Sequence, residues 1–383
     1  MLTAFRTTRR AVLAGLLTLT ASAASAGAEP ASVNDIARFL AGLPLSAGSP
    51  LEPLTRGPGW QRHAAQLDAA WKEIEQRQLG RIRVWAARYL PEPQPVLFYM
   101  FSGPDFLYAN AFYPSASTYV LSGLEPVGNV PELMSLPHGS MLRGLNQIRE
   151  SLATVLSFSF FITEDMKAKL NAGEFAGTLP ILHVFLARAG KTIRETSFLR
   201  LDKEGVELPV SSRAAASGAN GARITFSDGD GRTQTLYYFS TDLSDGGVRQ
   251  SGFLKFCERL GTGDGLIKSA SYLLHLGSFS KVREFLLANS ATIVQDDSGI
   301  PIRYFAADRW ALQVFGTYRA PISIFSQHRQ EALAKLFRKG EATPIDFGIG
   351  YRWRPHEANL LLAVRRQARA DNDRGWGIDP WKD

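Results

Sequence analysis

The chain has 383 residues, 45% of them hydrophobic and 21% charged, with a formal net charge of +7 at pH 7. This composition is typical of a globular protein and excludes a disordered or collagen-like chain. Arg6, Arg9 and Arg10 lie at the N-terminus, and without them 40 of the 43 basic side chains remain against 36 acidic ones, a net charge of +4 that is too small to indicate nucleic-acid binding.

The N-terminus predicts a cleavable export signal over residues 1–28. Arg9-Arg10 precedes a short apolar run, and two Ala-x-Ala sequences follow at 24–26 and 26–28. This pattern is typical of a twin-arginine signal, and an ordinary secretory signal is the alternative. No later stretch reaches about 18 uncharged apolar residues. We therefore expect a periplasmic or secreted protein with no membrane anchor after cleavage.

Apolar periodicity predicts the elements that follow the signal. Helices are expected over 32–43 and 60–89, from Met141 onward, over 163–170, and two or three times between 248 and 290. Strands are expected over 96–101, 118–121, 181–189, 193–201, 222–227, 234–240, 292–294 and 310–318, and a further helix over 324–338. The turn at 228–231 predicts a β-hairpin, whereas the glycine cluster 261–265 reads as a loop between helices.

This order of elements predicts an α/β or α+β fold with a mixed, partly parallel sheet, flanking helices and a β-hairpin section in the middle of the chain. We expect one large domain over 29–364, with an N-terminal helical section at 32–89, and a loose polar tail over 365–383. Cys257 is the only cysteine, so an intramolecular disulfide and cysteine-bound metal clusters are excluded. Its apolar neighbours predict a buried helical residue.

One group of residues indicates a site. Two early strands end alike, in YMFSGPDF and YVLSGLEP, and a later strand ends in TIVQDDSG. Ligands of open α/β sheets bind beyond the carboxyl ends of the strands, so parallel neighbours would bring several carboxylates into one cleft. We predict the catalytic candidates Asp105, Glu125, Asp296 and Asp297. The predicted ligand-binding residues are Ser102, Tyr108, Asn110, Ser122, Arg303 and Tyr304.

These carboxylates are compatible with three kinds of activity. Two of them could share acid and base work in hydrolysis, several could hold Ca²⁺ or Mg²⁺, or the cleft could bind a cationic or polyhydroxyl ligand without chemistry. We predict a small polar or carbohydrate-like ligand, bound or hydrolysed, and assign no metal ligand and no cofactor. The alternative is a non-catalytic envelope or interaction protein whose acids only shape turns or cap helices, as with Asp105 and Asp242.

Common catalytic motifs are missing from the sequence. It contains no G-x-S-x-G, no phosphate-binding loop, no G-x-G-x-x-G and no paired histidines at metal-ligand spacing. Lys268 lies beside Ser269 and Ser271, but the spacing differs from that of a Ser–Lys dyad. His183 reads as a core residue of a strand. The sequence therefore points to a place for a ligand, and hydrolysis there depends on the carboxylates alone and not on any of these motifs.

Overall fold

The computed structural model describes residues 30–158, 174–211, 220–339 and 342–366. The predicted signal peptide 1–28, the helix at 163–170 and the tail beyond residue 366 lie outside these ranges. Ala31–Asp383 is one compact unit, built around a ten-stranded sheet in the order β4-β3-β5-β6-β2-β1-β7-β8-β10-β9. The predicted mixed, partly parallel sheet with helices is confirmed. None of the described helices has the length and apolar character needed to cross a membrane.

The elements alternate along much of the chain. The strands are β1 Val96–Tyr99, β2 Thr118–Gly123, β3 Thr192–Leu201, β4 Glu207–Val210, β5 Gly221–Ser227, β6 Thr233–Ser240, β7 Gly263–Ile267, β8 Ser290–Gln295, β9 Trp310–Gly316 and β10 Asn359–Arg365. The α-helices are α1 Val33–Leu40, α2 Glu52–Thr55, α3 Pro58–Ile74, α4 Gly80–Tyr89, α5 Phe106–Phe112, α6 His138–Phe158, α7 Leu179–Arg188, α8 Asp245–Ser251, α9 Phe253–Arg259, α10 Ser280–Asn289 and α11 Glu331–Arg338.

The centre of the sheet is parallel. Strands β6, β2, β1, β7 and β8 run in the same direction, and antiparallel pairs flank them on both sides. Residues of β1 point alternately into two cores: Leu97 and Tyr99 pack on one face of the sheet, and Val96 and Phe98 pack on the other. Burial on both faces explains the continuous apolar run in the sequence. The hairpin between β5 and β6 is also as predicted.

One long helix precedes the sheet, as the periodicity over 60–89 predicts. It begins with Pro58 at its first position, where a missing N–H costs no hydrogen bond. A π-helical turn, Glu75–Leu79, joins α3 to α4 without a break. Such turns insert an extra residue into an α-helix and often lie at functional sites.

The strand predicted over 181–189 is wrong, because this segment is helix α7. Every residue from Leu179 to Ala187 is buried. A short run that is apolar on all sides has no periodicity, so the pattern alone cannot separate a buried strand from a buried helix. Pro180 in the first turn is the signal in the sequence that favours a helix start. His183 is buried in this helix, and its Nε2 lies 3.1 Å from Thr196 Oγ1.

Two further predictions need correction. The last three residues of the glycine cluster, 263–265, are part of β7, a fully buried strand at the centre of the sheet. A Cβ at Gly263 would lie 2.7 Å from the ring of Phe98, so close packing against the neighbouring strand accounts for glycine there. The helix predicted over 324–338 is a 3₁₀ segment, Ser323–His328, followed by α11. Cys257 is buried in α9, as predicted.

Candidate functional site

The carboxyl ends of five parallel strands form one edge of the sheet. The chain leaves β1 through α5 and returns in β2 on one side, whereas it leaves β7 through α10 and returns in β8 on the other. Because β1 and β7 are neighbours, their connections diverge between them. This is the topological switch point, where open α/β sheets have their ligand crevice.

The two Ser-Gly turns after β1 and β2 are joined to each other. Gly103 N donates to Ser122 O at 3.1 Å, and Ser122 N donates to Ser102 Oγ at 3.1 Å. A Cβ at Gly123 would lie 2.9 Å from the Cα of Gly103, so the repeated glycines allow the turns to touch. The predicted ligand-binding residues Ser102 and Ser122 are therefore buried parts of this joint, and their ligand role stays a prediction.

A buried ion pair crosses the switch point. Lys268 Nζ, directly after β7, lies 2.9 Å from Asp105 Oδ2, and both side chains are 2% exposed. Tyr99 OH donates to the same carboxylate oxygen at 2.8 Å. The Lys268 ammonium also lies 4.1 Å from the ring centroid of Tyr108, in cation–π geometry. We call Tyr99, Asp105, Tyr108, Lys268 and Ser269 the switch-point site.

Asp105 also has the capping role that the sequence suggests as an alternative. Its Oδ1 accepts from the N–H of Tyr108 at 3.1 Å and so caps α5. Its other oxygen, Oδ2, is the one that faces Lys268 and Tyr99. Capping therefore accounts for one oxygen of this carboxylate and leaves the ion pair to be explained.

The backbone on both sides of the ion pair is strained. Among the described residues, the non-glycine residues with positive φ are Phe101, Ser269, Ser271 and Tyr272, at 61°, 53°, 50° and 56°. The first follows β1 and the other three follow β7. Left-handed backbone costs a non-glycine residue about 1–2 kcal/mol, and such strain is concentrated at active sites and ligand clamps.

Asp296, Asp297 and Ser298 hold the strained loop after β7 in place. Asp296 Oδ2 accepts from Ser269 N at 3.1 Å, and Ser298 Oγ accepts from Ala270 N at 2.8 Å. Asp297 Oδ2 accepts from Tyr272 OH at 2.7 Å, and its Oδ1 accepts from Asn359 Nδ2 at 3.2 Å. These contacts give the two acids a positioning role, while their catalytic role stays a prediction.

Burial sets the protonation of these two acids. It raises the pKa of Asp296, which the charge of Asp297 raises further, and it also raises the pKa of Asp297. The folded protein thus keeps a proton that the unfolded chain loses near pH 4. The folded state then binds more protons than the unfolded chain does. Asp296 therefore makes the folded state less stable as the pH rises from about 4 to the raised pKa of its carboxyl group.

Asp296→Asn tests this sign. We expect the unfolding free energy of the variant to increase relative to wild type between pH 4.5 and 8, by about 1.4 kcal/mol for every tenfold increase in proton affinity on folding. Urea unfolding at the two pH values measures the difference.

Asp245→Asn is the matched control. Burial raises the pKa of Asp245, but hydrogen bonds from Lys281 N and Ser280 lower it overall, so this group is ionised at both pH values. Its variant should differ from wild type by the same amount at pH 4.5 and 8. An equally constant difference for Asp296→Asn would contradict the raised pKa.

Glu125 lies beside the switch-point site. A Cβ on Gly103 would be 3.5 Å from Glu125 Oε2, so this carboxylate lies over the turn that leads to Asp105. Tyr238 OH donates to Glu125 O at 2.9 Å and lies 3.4 Å from Oε2. Burial and the charge of Glu125 raise the pKa of Tyr238, which therefore stays a neutral donor.

The remaining predicted ligand residues fall in two places. Asn110 is on α5, and its buried Oδ1 has no hydrogen-bond partner in the part of the chain that the structure describes. Arg303 and Tyr304 are on an exposed turn where Arg303 Nη2 donates to Tyr304 OH at 3.4 Å. Arg303 lines a separate cavity of 360 Å³ with His275 and His328. No described hydrogen bond or ion pair joins Arg303 or Tyr304 to the switch-point site.

Sequence reasoning misses Lys268 as a site residue. If the glycine cluster before it is a helix boundary, Lys268 falls on a helix instead of at the end of a central strand. The signal that could have found it is a polar cluster, KSAS, directly after the apolar Leu266-Ile267. This is the same strand-then-polar pattern that identifies Asp105 and Asp296.

The comparisons with known proteins add no assignment. A scan against protein-family models found no match, and searches of curated proteins and of solved structures found none either. Within residues 30–158, 174–211, 220–339 and 342–366 there is no group of three or more His, Cys, Asp or Glu side chains that could hold a metal ion.

Proposed function

We propose that this protein is exported, that it binds a small polar, carbohydrate-like ligand at the switch-point site, and that Asp105 and Lys268 contact the ligand. The observation that carries the proposal is the buried 2.9 Å ion pair between them, at the edge where α/β sheets form ligand crevices. Hydrolysis of the same ligand is the catalytic form of this proposal.

The energetics of the site support a functional role. A buried ion pair is often no more stabilising than apolar residues of the same volume, because desolvation offsets the attraction. The strained loop at Ser269–Tyr272 adds a further cost. Features that lower stability and lie together at one end of the parallel strands indicate selection for something other than stability.

The chemistry of the site favours a polyhydroxyl ligand. Asp105 and Glu125 offer carboxylate acceptors, and Lys268 offers an ammonium donor. The buried Ser269 Oγ has no hydrogen-bond partner among the described residues. A sugar hydroxyl both donates and accepts, so one ligand of this class can satisfy acceptor and donor groups together. The Tyr108 ring beside them supplies an apolar surface.

The different surroundings of Asp105 and Asp296 support the hydrolytic form. Burial raises the pKa of Tyr99, whose OH donates to Asp105, and the charge of Asp105 raises it further. Asp105 is paired with a cation, whereas burial favours the protonated form of Asp296. Two carboxyl groups with such different surroundings are the usual arrangement for acid and base work.

The double variant Asp105→Asn/Lys268→Met tests the proposal. Replacing both charges avoids leaving one of them buried and unpaired, and Asn keeps the helix cap. We expect a panel of mono- and disaccharides and their aryl glycosides to contain a ligand that raises the melting temperature of wild type. The same ligand should leave the melting temperature of the double variant unchanged, because the variant binds it at least about tenfold more weakly than wild type does. Release of the aryl group reports hydrolysis.

Glu204→Gln/Lys255→Met is the matched control. It removes an ion pair of 2.7 Å whose side chains are exposed, so ligand binding should persist. If no sugar stabilises wild type, or if the double variant binds as tightly as wild type, the proposal is wrong. The protein would then be a non-catalytic envelope or interaction protein whose acids only shape its loops.

A further inference from the structure

A separate concave surface shares no lining residue with the switch-point site. This groove of 710 Å³ runs between the helix over 58–89 and the segment 343–347. We call it the helical groove. Its apolar lining includes Val84, Trp85, Tyr89, Ile345 and Phe347.

The π-helical turn anchors the chain segment that forms the wall of the helical groove opposite the helix. Gln78 lies in this turn and is buried, and its Oε1 accepts from Gly348 N at 2.8 Å while its Nε2 donates to Trp353 O at 3.3 Å. The Arg81 guanidinium in the next turn contacts both the backbone carbonyl and the carboxylate of Asp346. Gln78 and Arg81 therefore hold the facing segment in place against the helix.

Aromatic side chains make the groove suited to a flat ring of a small molecule. The Trp85 ring lies edge-on to Phe315 and Phe347, with centroids 5.0 and 6.2 Å apart, and 5.3 Å from the Tyr89 ring. Val84 is 74% exposed on the groove wall although valine is apolar. Concave sites lined by aromatic and aliphatic side chains are typical of small-molecule binding.

The charges around the groove select an anion. Glu75 is paired with Arg83 and Asp346 with Arg81, whereas Lys72 shares its partner Asp68 with Arg188.

Arg88 differs from these groups. Its guanidinium lies 5.2 Å from the ring centroid of Tyr89 and has no ion pair or hydrogen bond within the described ranges. It therefore adds an unpaired positive charge next to the aromatic part of the groove. A guanidinium at the rim of an aromatic floor matches a carboxylate or sulfonate carried on a flat ring.

We propose that the helical groove binds a small flat aromatic molecule that carries one anionic group, with the ring on Trp85 and Tyr89 and the anion on Arg88. This site is independent of the switch-point site and does not rest on the function proposed there.

Binding of 2-naphthoate and its neutral analogue 2-naphthamide to the full-length protein tests the inference, measured by calorimetry and by saturation-transfer NMR. We expect 2-naphthoate to bind saturably with a Kd below about 1 mM, and about five- to tenfold more tightly than 2-naphthamide. In Arg88→Gln the ratio of the two affinities, for 2-naphthoate and for 2-naphthamide, should fall to about one. Val84→Glu, which places a carboxylate on the groove wall, should weaken 2-naphthoate binding by about tenfold.

Both variants change exposed helical side chains, so the fold should be preserved. Arg62→Gln removes the same charge from an exposed position of α3 outside the groove and should leave both affinities unchanged. Absence of saturable binding to wild type would overturn the inference, as would an anion preference that survives in Arg88→Gln. Binding of a sugar at the switch-point site has no bearing on this outcome.

Discussion

Replacing Lys268 by Met is expected to lower the free energy of unfolding by about 3–5 kcal/mol. The ammonium faces Asp105 at 2.9 Å, and both side chains are 2% exposed. Methionine has a similar length but no charge, so it leaves a buried carboxylate with Tyr99 OH as its remaining side-chain donor in the described structure. Most of the loss is the cost of leaving that buried charge without its counter-ion.

The double variant Asp105→Asn/Lys268→Met should recover most of this loss, to within about 1 kcal/mol of wild type, because it removes both charges together. Lys255→Met, which removes the cation of the exposed pair with Glu204, should cost less than about 1 kcal/mol. Urea unfolding followed by circular dichroism measures all three. A double variant no more stable than the single one would show that the pair is not the source of the effect.

Gly350→Ala is expected to lower the free energy of unfolding by about 2–4 kcal/mol. Gly350 has φ +69°, and a Cβ there would overlap Oδ2 of Asp296. That oxygen accepts from Ser269 N, and the neighbouring Tyr351 donates its OH to Ser269 O at 3.0 Å. The added methyl group must therefore displace contacts that hold the strained loop after β7.

Gly48→Ala isolates the backbone contribution. Gly48 has φ +77°, but no atom lies within 4 Å of the Cβ position. The variant should therefore lose only the cost of left-handed backbone, about 1 kcal/mol of the free energy of unfolding. The difference between the two variants in chemical denaturation measures the contact with Asp296. Equal losses in both would mean that Asp296 moves aside without cost and does not anchor the loop.

The acids in and around the switch-point site are predictable from the ends of strands. Apolar runs followed by Ser, Gly and Asp are enough to identify Asp105, Glu125 and Asp296 in the sequence, because strand ends must return to solvent through turn residues. The same pattern cannot assign oxygen atoms to partners. It does not show that Asp105 divides its two oxygens between a helix cap and a lysine, or that Asp296 and Asp297 fasten the loop after β7.

Two of the wrong predictions, for 181–189 and for the glycine cluster, have one physical cause. Segment 179–188 is apolar on every side, and 263–267 contains two glycines, so neither carries a periodicity that separates helix from strand. Burial of α7 and close packing of β7 against Phe98 decide these cases, and both depend on residues far away in the chain. A wrong assignment of β7 also removes Lys268 from the predicted site.

The sequence alone determined the class of the fold, the buried strands β1 and β2, the hairpin and the chain segments where acids follow strands, because these depend on local apolar patterning and turn chemistry. Tertiary structure alone decided which strand ends meet. Only the order of strands brings β7 beside β1, and only that neighbourhood pairs Lys268 with Asp105, 163 positions apart in the numbering of the chain. Long-range pairing is set by the packing of the whole core, which no local window of sequence contains.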